Sequence, residues 1–239
     1  MSRILVVNSN TNAAVTARIA AVADAACPVG VTARTVTAPF GLPLIVSRAD
    51  WLVAGPATLA ALAAHHDYDA AVIACFGDPG LDAAKELLDV PVLGISEAAF
   101  HAAAMLGRRF GVVSFTAALQ PMFEDCLEHH GLRARCTGFR MGPGFDGDPA
   151  TVAEDRRGLL LELVRAAVAD GAEAVILAGG PLAGVAGALQ AEVAVPLVDG
   201  VVAGVRLAAA LAGMVPPRPR RPRTPSGQAE GVAALYARC

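Results

Sequence analysis

Cys75 is the residue best placed to do chemistry in this chain. It closes an uncharged run, Ala70-Ala-Val-Ile-Ala74, and is followed by Phe76-Gly77-Asp78-Pro79-Gly80, a turn from which a helix can start. A thiol at a helix amino terminus gives up its proton more readily, and the thiolate is the form that acts as nucleophile or base. Cysteine is also common in buried cores, so residue type alone leaves both uses open. The strand-end position favours function. Cys27, Cys126 and Cys136 lie in helical or loop patterns without such a turn and read as packing residues.

A second set of polar groups stands at comparable places. Asn8 and Thr11 follow a short apolar run, where they can bind a substrate or cap a helix. Ser114 and Thr116 follow another and can donate hydrogen bonds to a carboxylate. Gly179-Gly180-Pro181 offers backbone N–H groups to an anion or an enolate oxygen, as do Phe76 and Gly77 beside the thiol. Glu97 and Asp199 flank short strands and have the chemistry of a general acid or base. Asp78 reads as a cap for the helix after the cysteine turn. His65, His66, His129 and His130 fall at helix ends and read as surface residues, whereas His101 reads as packed.

These groups need a frame, and the chain supplies it as an internal repeat. Asp69-Ala-Ala-Val-Ile-Ala-Cys75-Phe-Gly-Asp-Pro-Gly overlies Glu173-Ala-Val-Ile-Leu-Ala-Gly179-Gly-Pro-Leu-Ala-Gly, each followed by a short run opened by Pro91 or Pro196. That match sets a period of about 104, and Arg3-Ile-Leu-Val-Val-Asn8 likewise overlies Arg109-Phe-Gly-Val-Val-Ser114. Each unit reads as buried strand, Gly/Pro turn, amphipathic helix and second strand, the signature of parallel βαβ construction. The expected fold is α/β, with two pseudo-symmetric, doubly wound domains: residues 1–97 plus about 206–239, and residues 98–205. In parallel sheets ligands bind beyond the carboxyl ends of strands. Asn8, Cys75, Ser114 and Gly179 all stand there, so the expected site is the cleft between the domains.

Composition narrows the partner. The 239 residues are 55% hydrophobic and 17% charged, with a net charge of −3, so nothing draws the molecule as a whole to nucleic acid or an anionic membrane. A small molecule bearing carboxylate or imide oxygens is the expected partner. Five scattered cysteines with no C-x-x-C pair argue against a disulfide framework and a zinc site, and imply a reducing compartment. The four apolar residues Ile4–Val7 are too few for a signal-peptide core, so a cytoplasmic location is expected. The uncharged stretch Ala174–Gln190 has the length of a membrane span, but Pro181 and four glycines recast it as strand, turn and helix. Beyond Met214, prolines 216, 217, 219, 222 and 225 interleave with arginines 218, 220, 221 and 223, the composition of an extended surface strap, and 231–239 reads as a short helix.

The chain resembles the aspartate/glutamate/hydantoin racemase superfamily, above all its hydantoin and allantoin racemase branch. The resemblance rests on Val7-Asn8-Ser9-Asn10-Thr11, Val72-Ile-Ala-Cys75-Phe-Gly-Asp-Pro-Gly-Leu81, Pro91-Val-Leu-Gly-Ile-Ser-Glu97, Leu106-Gly-Arg-Arg-Phe-Gly-Val-Val113 and Val195-Pro-Leu-Val-Asp199-Gly. It implies two pseudo-symmetric domains with four-stranded parallel sheets, no cofactor and no metal, a symmetric homo-oligomer, and proton transfer at an acidic carbon by one thiol from each half. Cys75 matches the first thiol, and Asn8 and Ser114 match pocket-lining polar positions. The second thiol is replaced by Gly179. Three functions follow as expectations: a racemase-like isomerase of an amino acid or hydantoin derivative; a single-thiol lyase, decarboxylase or cis–trans isomerase; or a binding protein that keeps the cleft without the chemistry.

Overall fold

A computed structural model describes residues 2–216; the proline/arginine strap beyond Pro216 and the expected helix at 231–239 lie outside the described residues. Two four-stranded parallel sheets form. In the first, β1 (Ser2–Asn8), β2 (Val31–Thr37), β3 (Ala70–Ile73) and β4 (Val92–Gly94) run in the order β2-β1-β3-β4. In the second, β5 (Phe110–Ser114), β6 (Cys136–Met141), β7 (Ala174–Leu177) and β8 (Leu197–Asp199) repeat that order as β6-β5-β7-β8. The helices are α1 (Ala13–Ala26), α2 (Arg48–Ala63), α3 (Leu81–Leu87), α4 (Ile95–Leu106), α5 (Gln120–His129), α6 (Val152–Asp155), α7 (Arg157–Ala169), α8 (Val185–Leu189) and α9 (Gly200–Leu211). The α/β class and paired sheets are as the repeat predicts.

The repeat is visible in the strand registers. Ile4–Val7 lie beside Ala70–Ile73, and Phe110–Val113 lie beside Ala174–Leu177. One step further along, Ala74 N–H donates to Val7 O at 2.7 Å and Ala178 N–H to Val113 O at 2.8 Å. Asn8 therefore corresponds to Ser114, and Cys75 to Gly179. The central strands β3 and β7 are apolar and buried at every residue, as strands covered on both faces must be. Along β1 and β3 the side chains alternate: Ile4, Val6, Ala70 and Val72 join the main core, while Leu5, Val7, Ala71 and Ile73 form a second cluster beneath α2 and α3. The stretch 174–190 folds as β7, a Gly180–Leu182 turn of 3-10 helix, and α8.

Two helices tie the halves together. α9 follows β8 of the second sheet yet packs against β3, β1 and α1 of the first, and α4 follows β4 of the first yet packs against β7. Small residues allow the close approach. A Cβ at Gly200 would stand 2.8 Å from Ile95 O, and one at Gly204 would stand 2.9 Å from a Val72 methyl. Van der Waals contact at these distances forbids a side chain, so glycine sets the separation of α9 from α4 and β3. The starts of α4 and α9 thus meet beside the ends of the strands that carry the candidate chemistry.

Candidate active site

The two strand-end loops meet in a small cavity of about 20 Å³. Cys75 and Phe76 come from the first half, Gly179 and Gly180 from the second, and Asn10, Ile45 and Phe115 are among the remaining wall residues. A Cβ on Gly180 would stand 3.1 Å from Ala74 O, so the halves touch beside the thiol. The volume holds about one water molecule. Entry of any ring-sized substrate requires the walls to part.

Cys75 is buried, 8% exposed, and lies two residues beyond the end of β3. Its only polar contact among the described residues is a weak one, Sγ to Phe76 O at 3.8 Å. The thiol does not sit at a helix terminus: α3 begins at Leu81, six residues further on. The expected lowering of its pKa is therefore corrected. Burial pushes the Cys75 thiol up, and the nearby Asp78 carboxylate pushes it further. In this closed form Cys75 carries its proton.

Backbone donors surround the thiol. Among the described residues, the N–H groups of Cys75, Phe76 and Gly179 donate to no protein acceptor. Buried N–H groups are normally paired, so a cluster of open donors beside a thiol is a place for a substrate oxygen. The Gly77 N–H, by contrast, is committed to Ser96 Oγ at 2.6 Å, and the Gly77 carbonyl accepts from Trp51 Nε1 at 2.6 Å. Gly77 therefore braces the turn.

The other expected polar residues work one layer back. Asn8 Nδ2 donates to Asn10 Oδ1 and Thr16 Oγ1, both at 2.9 Å, while its Oδ1 accepts from Asn10 N–H. It shapes the loop and leaves Asn10 to reach the cavity. Thr11 N–H holds Leu42 O at 3.0 Å, which anchors the loop carrying Leu44 and Ile45. The Ser114 hydroxyl donates to Ala178 O at 2.6 Å, and Thr116 caps a turn through Ala118 N–H. Sequence reasoning misses Asn10, although its place two residues beyond the end of β1 is a usable signal.

The candidate acids also resolve into structural parts. Glu97 pairs with Lys85. Asp199 caps α9 through Val201 and Val202 N–H and also accepts from Gly184 N–H at 2.6 Å. Burial raises its carboxyl, opposed by those amides. Asp78 caps α4, not the expected α3: Oδ1 accepts from Ser96 N–H at 2.9 Å and Oδ2 from Glu97 N–H at 2.8 Å. His101 is exposed and bonded to Glu97 O through Nδ1, whereas the His130 side chain is only 7% exposed, reversing both expectations.

The Asp/Glu/Hydantoin racemase family model matches residues 4–208. This chain belongs to that family. A hydantoin racemase from Pseudomonas sp. (strain NS671) is 36% identical over 212 residues, covering 86% of this chain and 84% of the relative. The allantoin racemase from Klebsiella pneumoniae superposes with a TM-score of 0.83 at 33% identity, covering 98% of this chain and 99% of that one. Unliganded arylmalonate decarboxylase shares the fold at 19% identity, with a TM-score of 0.60 over 89% of this chain and 93% of its own. As a family member, the chain has its two-sheet architecture by descent as well as by packing. Among the described residues no helix is long and apolar enough to cross a membrane.

Proposed function

We propose that this protein is a cofactor-independent, racemase-type isomerase acting at the acidic carbon of a hydantoin or related amino acid derivative. The observation that carries this reading is the single buried thiol of Cys75 facing a cavity edged by open N–H groups from both halves. As the carbon–hydrogen bond beside a carbonyl breaks, negative charge moves onto the carbonyl oxygen. The N–H groups of Cys75, Phe76 and Gly179 are the donors for that oxygen, and in a dry cleft their hydrogen bonds strengthen. Cys75 is the acid/base on one face. Gly179 leaves the other face without a thiol, so water that enters with the substrate, or a group on it, serves there.

The protonated thiol and Gly179 favour a second reading, that of a lyase that delivers one proton to one face. A decarboxylase needs a proton donor after carbon dioxide leaves, and the neutral Cys75 is such a donor.

Proton NMR in D2O with circular dichroism on single-enantiomer hydantoins and allantoin tests the first reading. Exchange of the α-proton with decay of optical activity is the expected result, absent in Cys75→Ala. Exchange with retention or no exchange, together with loss of carbon dioxide from an arylmalonate, would replace it with the second.

A further inference from the structure

On the far side of the cysteine turn lies a larger pocket of about 560 Å³, to which Gly77, Asp78, Cys126 and His130 all contribute. Three of those residues converge. Asp78 Oδ2 lies 4.0 Å from Cys126 Sγ and 3.4 Å from His130 Nε2, and the three ligand atoms all lie within 4.8 Å of one another. Helical spacing produces two of the three: Cys126 and His130 are four apart at the end of α5 and share a face. Asp78 comes from the β3–α3 loop.

We propose that Asp78, Cys126 and His130 form a binding site for a soft or borderline divalent cation such as Zn²⁺, open to a fourth ligand from the pocket. The second observation is His130 itself. Its side chain is 7% exposed, yet Nε2 has no hydrogen-bond partner; the nearby Asp78 oxygen is not aligned to accept. A buried nitrogen left unpaired costs free energy, and a cation between it and the carboxylate removes that cost. The carboxylate is already oriented by Ser96 and Glu97 N–H, as metal-bound carboxylates usually are by an outer layer of hydrogen bonds. Among the described residues no Lys or Arg pairs with Asp78. Carboxylate plus thiolate supply two negative charges, which balance a divalent cation in a buried place.

The donor set fits zinc in kind and nearly in distance. Zinc bond lengths of about 2.0–2.3 Å place tetrahedral donors roughly 3.3–3.8 Å apart, so the widest pair, no more than 4.8 Å apart, need contract by at most about 1.3 Å. Thiolate and imidazole together select against magnesium and calcium, which take oxygen ligands. The cation would displace the Cys126 proton to solvent and bind the resulting thiolate. The lack of a C-x-x-C pair in the sequence does not bear on such a site, because its third ligand is distant in the chain.

Titration of the untagged, chelator-treated and reduced protein with Co²⁺ tests the site. The expected result is one Co²⁺ per chain with a thiolate-to-cobalt band in the near ultraviolet, bleached by Zn²⁺. Cys126→Ser abolishes that band, His130→Gln keeps it with affinity weakened more than about tenfold, and Cys75→Ala leaves it unchanged. No stoichiometric uptake, a band that survives Cys126→Ser, or a band lost in Cys75→Ala would overturn the proposal. X-ray absorption of the wild-type cobalt form gives a check independent of the variants' folding: a shell without sulfur overturns the assignment.

Discussion

The first half of the molecule carries a thiol at Cys75 and no side chain at Gly94; the second carries no side chain at Gly179 and a carboxylate at Asp199. Strand register makes these corresponding positions. A Cβ on Gly94 would fall 1.9 Å from the carboxylate carbon of Asp78, so Asp78 fills from the loop the space that Asp199 fills from the strand. The amides served correspond too: Ser96 and Glu97 in one half, Val201 and Val202 in the other. A helix start packed against a sheet edge needs an acceptor, and either residue supplies it. The thiol has no such substitute. Fold requirements are met twice by different residues, whereas the strand-end thiol stands in one half.

The largest effect belongs to the asymmetric thiol. Cys75→Ala should lower turnover by about 10²–10⁴-fold while the far-ultraviolet circular dichroism stays unchanged. With its thiol pushed up by burial, wild-type Cys75 should be alkylated by iodoacetamide at a rate rising about tenfold per pH unit through and beyond the ordinary thiol range. A plateau below that range would show a depressed thiol and refute the closed, protonated form.

Next is the exchanged carboxylate. Gly94→Ala must expel Asp78 from its place and strand two buried amides, at a cost of about 3 kcal/mol in chemical denaturation. Gly94→Asp combined with Asp78→Gly should recover much of that stability. Gly94 already has extended backbone like Asp199, and Asp78 sits at φ +52°, which suits glycine. A Gly94→Ala protein as stable as wild type would break the correspondence.

Restoring symmetry at the cleft carries a smaller stability cost. A Cβ at Gly179 would meet Phe115 at 3.5 Å and Ser114 Oγ at 3.8 Å, ordinary contacts, but the backbone there has φ +132°. Gly179→Cys should therefore cost about 1–3 kcal/mol and lower Tm. Its benefit is read as the ratio of inversion to exchange, which should rise. A folded variant whose ratio stays flat would mean that the halves do not address opposite faces of one substrate.

The repeat, both sheets and the position of Cys75 are legible in the sequence because buried parallel strands are near-continuous apolar runs and Gly/Pro turns punctuate them. Which strand-end groups face the cavity is not. Asn8 and Asn10 differ by two residues in one loop, and their roles are divided by hydrogen bonds within that loop. Asp78 reads from sequence as a cap for the helix next to it, since proximity along the chain carries no information about the helix that follows another strand. His130 reads as exposed at a helix end, but its side chain is buried beside Asp78 and the rings of Phe100 and His101. The state of the thiol depends on the same point: burial and a nearby carboxylate are tertiary facts.

The finest test concerns Asp199. Burial raises its folded-state carboxyl above the ordinary value, although three backbone amides pull the other way. The folded protein then binds this proton more tightly than the unfolded chain does. Stability falls as pH rises from the ordinary carboxylate value to the raised one, then levels. In Asp199→Asn the side chain cannot ionise; the amide keeps an oxygen for Val201 and Val202 N–H and turns its nitrogen toward Gly184. The lost Gly184 contact gives the variant a fixed penalty, so the informative quantity is the slope of its Tm difference from wild type with pH. That difference should move in favour of the variant as pH rises through the window. Movement the other way would mean that the amides outweigh burial at the start of α9, and that the carboxylate there is favoured in its charged form.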